Sequence, residues 1–436
     1  MPALPSHPSL EHLRKQAKER RRAQGVSLSR AQHALASEYG FDSWPRLVHH
    51  VQAEGLTGVE RALMLADTAG LAAHLTADPS AATAAVGDLS PLLTLLRRST
   101  GAPADIRRCG ELLLDAGADP DSRTDEDHGQ WRMSALFAAV ERSDLALVRL
   151  LLDRGATPDE DAFYLACDRA DTAYLDLLYR PGFEPVIIRQ LDFESTAGLR
   201  WFLDRDVDVN IHGCLHWAIG RGRGTSILRL LLDAGADVNL PHPVTGQRPL
   251  AVAARCGHLA AYDLLTARGA RAELDTTDIA VLAVARGESV HLPVAPPPMP
   301  GIPGEDYGWL LGQLALLGRN EVVRALLDAG LAVDTRGWSN FTPLDQAAMN
   351  GRTETVQLLI DRGADLHDCA FDEDGPTPLD CALWGLRHNR AEDGDYLGTV
   401  QTLLNASAPT RHSPPTGDEA IDALLIDHAS DTVTNE

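Results

Sequence analysis

The stretch "GWSNFTPLDQAAMNGRTETVQLLIDRGADL", residues 337–366, carries the punctuation of two short helices and decides how the rest of the chain is read. Thr342 suits an N-cap, because its hydroxyl accepts from free first-turn amides. Pro343 suits the first helical position, having no amide to leave unpaired, and Asp345 sets negative charge at the positive end of the helix. Asn350-Gly351 interrupts that helix. A second helix gathers Val356, Leu358, Leu359 and Ile360 on and around one apolar stripe, and Gly363 ends it in the left-handed conformation that side chains disfavour. The predicted unit is helix, turn, helix, finger.

The ending of that unit recurs as "LLLDAGADP" (112–120), "LLLDRGATP" (150–158), "LLDAGADVN" (231–239), "LLTARGARA" (264–272), "ALLDAGLAV" (325–333) and "LLIDRGADL" (358–366). Gly235 to Gly269 is 34 residues and Gly330 to Gly363 is 33, a period at which helix pairs stack side by side. Its beginning recurs as "TPLDQAAMNG", "TPLDCALWG", "RPLAVAARCGH" and "GCLHWAIGRG". These motifs resemble the ankyrin repeat family over roughly residues 58–430. The resemblance implies an all-α solenoid of helix-turn-helix units with β-turn fingers. His216 keeps the family's histidine after Pro-Leu or its equivalent, while Asp345 and Asp380 replace it with another cap-compatible group.

Composition fits such an array. The 436 residues are 44% hydrophobic but 5% aromatic, and the net charge of −23 is spread along the chain, which disfavours nucleic acid and anionic membrane as partners. The one basic cluster, Arg14, Lys15, Lys18, Arg20, Arg21 and Arg22, contains both lysines of the protein; arginine supplies every other positive side chain, as GC-rich bacterial genomes favour. Cys109, Cys167, Cys214, Cys256, Cys369 and Cys381 are scattered without a C-x-x-C pair, which points to a reducing cytoplasm. No apolar h-region or membrane-length apolar run is present.

Residues 1–57 read as a basic helical N-terminal cap. "SLEHLRKQAKERRRAQ" has Leu10, Leu13 and Ala17 on its apolar side, and Phe41 and Trp44 follow the stop at Gly40 as core residues. The array occupies 58–436. It is degenerate at 159–212, where two units are compressed, and interrupted at 288–306 by a Pro-rich insert whose prolines forbid the expected second helix.

The family's groove is lined by finger residues and by the two residues before the inter-helix glycine. The resemblance therefore places Arg336, Trp338, Phe341, Met349, Asn350, Phe371 and Trp384 on a partner-binding patch, rich in the aromatic and arginine side chains that dominate interfaces. Trp131, Arg142, His212, Arg221, His242 and Arg255 mark a second, more polar groove zone. A non-catalytic protein-interaction scaffold in the cytoplasm follows, its partner a protein and its oligomeric state open. The alternative is an enzyme or small-molecule binder whose pocket, near His212, His242 and Trp309, is closed by the Pro-rich insert.

No catalytic, metal or cofactor residue is assigned. His212 and His216 flank Cys214 at a spacing that would suit zinc on one helix, but His212 belongs to the finger and His216 to a cap. "GRGRG" (220–224) lacks the Gly-Lys-Ser/Thr of a phosphate loop, and the acidic tips at 125–128 and 371–375 lack a complete calcium loop.

Overall fold

Ser90, Ser134, Asp144 and Asp159 each accept a hydrogen bond from the backbone amide three residues on, and each begins a helix. Thr342 and Thr377 go further. Their hydroxyls accept from Asp345 and Asp380 while those carboxylates accept from the Thr amides, so two orphan donors per helix are satisfied reciprocally. The sequence signals thus become physical helix starts.

A computed structural model describes residues 9–24, 28–41, 44–54, 56, 58–124, 133–169, 171–193, 196–290, 306–336, 340–370, 375–388, 391, 393–409, 416 and 418–432. Among them there are helices and turns but no β-strand, only isolated bridges at Val86–Leu89 and Arg123–Ser134. The chain divides into two units, Met1–Phe183 and Glu184–Glu436.

In the first unit, helices Leu10–Gln24, Leu28–Glu38 and Trp44–Glu54 enclose Leu13, Ala17, Leu35, Ala36, Leu47 and Val51, with Phe41 and Trp44 half-buried against them. Four helix pairs follow: Gly58–Leu65 with Thr68–Ala77, Pro91–Arg98 with Pro103–Asp115, Ala135–Glu141 with Leu145–Asp153, and Glu160–Ala166 with Ala173–Leu178. First helices pack on first helices and second on second, which is how a two-helix unit too small for its own core buries its leucines.

The second unit opens with the short pair Ile187–Gln190 and Thr196–Leu203 and continues through Cys214–Gly220 with Thr225–Asp233 and Pro249–Arg255 with Leu259–Ala267. Thr276–Ala285 is a first helix, and no second helix follows it through residue 290. Asp306–Leu316 with Asn320–Asp328, Pro343–Met349 with Thr353–Asp361, Pro378–Arg387 with Tyr396–Asn405, and a last helix Glu419–Thr432 complete the unit. Leu310, Leu314, Leu344, Leu359, Leu379 and Leu403 belong to one buried cluster here, each side chain contributing about 1.5–3 kcal/mol by leaving water.

Polar ladders run from one repeat to the next. The side chain of Asp121 accepts from the Thr157 amide, Asn210 from Asp237, Asn239 from Arg271 and Asp334 from Asp365, so each finger carboxylate or amide caps the next finger. The alternation of "DAG" and "RG" at the helix ends has the same logic: Arg154 reaches Asp115 at 2.9 Å, Arg268 reaches Asp233 at 3.0 Å and Arg362 reaches Asp328 at 2.8 Å.

Candidate interaction surface

Asp192, contributed by the compressed unit and only 5% exposed, organises the first helix that follows it. Its Oδ1 accepts from Trp217 Nε1 at 3.1 Å and pairs with Arg221 Nε at 3.0 Å, while its Oδ2 pairs with Arg189 at 2.7 Å. The Arg221 guanidinium lies 4.7 Å from the Trp217 ring centroid, Arg189 4.9 Å from Phe193, and Arg205 3.6 Å from Trp201. One carboxylate thus holds two guanidinium groups, and half-buried Trp217 and Arg221 stand fixed on helix Cys214–Gly220.

One repeat further on, the His216 and His242 rings meet edge to face, their centroids 5.2 Å apart. His216 Nε2 bonds to the Gln247 carbonyl at 2.9 Å, and His242 Nδ1 accepts from the Val244 and Thr245 amides. Burial, with His242 adding to it, lowers the His216 pKa to about 4, so the ring is neutral at neutral pH. Cys214 Sγ donates to the Ile211 carbonyl and burial lifts its thiol to about 12, which makes it an inert core group. No group of three metal-ligating side chains stands together among the described residues.

Toward the C-terminus, Arg336 donates to the Asn340 carbonyl and pairs with Asp368 of the next finger. Trp384 stacks on His388 with centroids 4.4 Å apart, and Met349, Phe341 and Trp384 are half-buried. The first helices Pro343–Met349 and Pro378–Arg387 pack together, which sets these side chains on adjoining units.

Residues 212–243 match a family model described as "Ankyrin repeat", and residues 313–360 and 344–393 match one described as "Ankyrin repeats (many copies)". The chain carries ankyrin repeats. A crystal structure of the human ASB11 ankyrin repeat domain is similar at 21% identity, covering 65% of this chain and 100% of that one with a TM-score of 0.22. A bovine protein named dynein axonemal heavy chain 12 is 29% identical over 140 residues, 30% of this chain. The match spans about a third (34%) of that relative's length.

Within the ankyrin array, two of the expected groove residues lie in the interior. Asn350 is 1% exposed, its Nδ2 donating to the Leu316 carbonyl at the end of the preceding first helix. Arg255 is 3% exposed and pairs with both Asp275 and Asp278. Turn polarity explains Asn350, which gives a donor to a carbonyl left free at a helix end, whereas Arg255 is drawn inward by the two carboxylates of the next helix start. Arg142 is half-buried, donating to the Leu96 and Ser99 carbonyls, and burial pushes its guanidinium below its usual value. Arg221 and His242 sit as described above. Trp131, Trp338, Phe371 and residues 291–305 of the Pro-rich insert lie outside the described residues, as do the side chains of His212 and Trp309.

Asp192 escaped the sequence reading because no repeat period places it. Its unit is compressed, and only the fold brings it to Trp217 and Arg221. Nor did the sequence single out the arginine that follows the inter-helix glycine in Gly222-Arg223, Gly318-Arg319 and Gly351-Arg352, although that recurrence was visible.

Proposed function

We propose that this chain is a non-catalytic protein-interaction scaffold that binds its partner through fingers and first helices. Ankyrin repeats generally mediate protein–protein interaction. The observation that carries the reading is the Asp192-organised set of Trp217, Arg221 and Arg189, rigid amphipathic side chains held in place before any partner arrives. Pre-ordering lowers the entropy cost of docking, and Trp and Arg are the residue types from which interfaces draw most energy. Phe341, Met349 and Trp384 supply a second, more apolar zone for hydrophobic anchors, with Arg336 and Asp368 at its edge.

Affinity purification from the native host, with mass spectrometry, tests this. Proteins recovered with the wild type should be lost with Trp217→Ala/Arg221→Ala or with Phe341→Ala/Trp384→Ala. They should persist with Arg154→Ala, which removes only an exposed inter-repeat ion pair. Unchanged recovery with both double variants rejects the surface.

A further inference from the structure

Helix Leu10–Gln24 carries the densest run of cations in a chain of net charge −23, and both of its lysines. Its apolar stripe is spent inside the cap: Leu13 and Ala17 are buried with Leu35, Leu47 and Val51, and Leu10 packs against them. The opposite side is basic. Arg14, Lys15, Lys18 and Arg22 are exposed and Arg21 is half-buried. At 100° and 1.5 Å per residue these five cations fall within an arc of about 120° and span about 12 Å of the helix. Arg20 pairs with Glu38 of helix Leu28–Glu38 at 2.8 Å, whereas the other five form no ion pair among the described residues.

Three kinds of anionic partner attract such cations, and the helix discriminates among them. A membrane-surface helix sinks its apolar face into the headgroup region, but here Leu10, Leu13 and Ala17 are already packed in the cap. A nucleic acid presents an unbroken row of phosphates. Two exposed carboxylates, Glu11 and Glu19, stand beside the cations and oppose such a row, and the charge of the whole chain repels a long polyanion. A second copy of the chain carries the same −23 and is repelled in the same way. A single acidic helix of another protein meets only this face. Its carboxylates recur at the same three- and four-residue spacing as the cations, and discrete charges leave room for Glu11 and Glu19 to face neutral or basic side chains.

We propose that the exposed face of Leu10–Gln24 docks an acidic helix of a partner protein, its carboxylates lying along Arg14, Lys15, Lys18, Arg21 and Arg22. This face belongs to the first unit and both zones of the proposed partner-binding surface to the second, so the two stand or fall independently.

Fluorescence anisotropy of the full chain with a labelled helical peptide tests the proposal, the probe having glutamates at three- and four-residue spacing along one face of an alanine helix. The peptide should bind the wild type, and raising the salt from about 0.05 to 0.5 M should weaken binding at least about tenfold. Lys15→Glu/Lys18→Glu changes two exposed side chains, should leave the circular dichroism spectrum unaltered, and should weaken binding at least about tenfold. A peptide of the same composition with its glutamates spread around the helix should bind at least about threefold more weakly. Trp217→Ala/Arg221→Ala, in the other unit, should bind the probe as wild type does. No binding by the wild type, wild-type affinity in Lys15→Glu/Lys18→Glu, equal affinity for the two peptides, or tighter binding of a DNA duplex or of phosphatidylserine vesicles than of the probe overturns the assignment.

Discussion

Arg255 and Asp278 form an ion pair whose side chains are 4% and 3% exposed, and Asp275 completes the pairing from the helix cap. Burial lifts the Asp278 carboxyl above its ordinary range even with Arg255 against it. Desolvation is therefore the larger effect at this position, and the pair costs more to break than to replace. Asp278→Ala should destabilise the second unit by about 3–5 kcal/mol, because it leaves a buried guanidinium short of charge. Arg255→Met with Asp278→Leu should cost far less. Urea denaturation of the three proteins checks the order, and equal losses in the single and double variants contradict it.

Asp345 gives a pH dependence of defined sign. Burial, opposed by hydrogen bonds from Thr342, raises its pKa from 3.8 to about 6 in the folded protein. Between those values the folded state holds a proton that the unfolded state has released, so this group's contribution is fully present below about pH 4 and lost as pH rises through 6. Asp345→Asn removes the titration while keeping an acceptor for Thr342. Its stability relative to wild type should rise by about 1–3 kcal/mol from pH 4 to pH 7. A relative stability that does not change with pH would refute this.

Gly385 permits the approach of two first helices. A methyl group there would stand 2.0 Å from the Met349 carbonyl oxygen, which also accepts from the Tyr396 hydroxyl at 3.3 Å. Backbone cannot move aside as a side-chain tip can. Gly385→Ala should cost at least about 1–3 kcal/mol and lower the thermal midpoint, despite alanine's better helix propensity. A stabilised variant would show that the helices pack differently.

Asn239 tests the finger ladder. Its side-chain oxygen accepts from the Arg271 amide at 2.8 Å across a repeat boundary. Asn239→Ala should cost about 1 kcal/mol and speed hydrogen exchange at Arg271 in particular. By contrast Arg154→Ala, which breaks an exposed pair with Asp115, should change stability by less than about 1 kcal/mol. Exchange at Arg271 that is unaffected by the first variant would remove the ladder's role.

Much of the fold was legible because its signals are local. Thr342-Pro343, Ser134 and Asp144 start helices with atoms already adjacent in sequence, and the recurring "LLLDAG" and "LLLDRG" keep the phase of leucines that can be buried only against the next unit. The candidate surface was legible only in part. Trp384 lies within helix Pro378–Arg387 and Arg221 caps helix Cys214–Gly220, but Asn350 and Arg255 turned inward because nearby carbonyls and carboxylates had to be satisfied inside the stack.

Sequence by itself determined the unit, its period and its caps, since these depend on bonds spanning a few residues. Tertiary structure alone decided that Asp192 would hold Trp217, Arg221 and Arg189 together, and that Arg255 would turn inward onto Asp275 and Asp278. Both depend on how irregular units settle against regular ones, and that balance of burial against unpaired charge exists only after the repeats have packed.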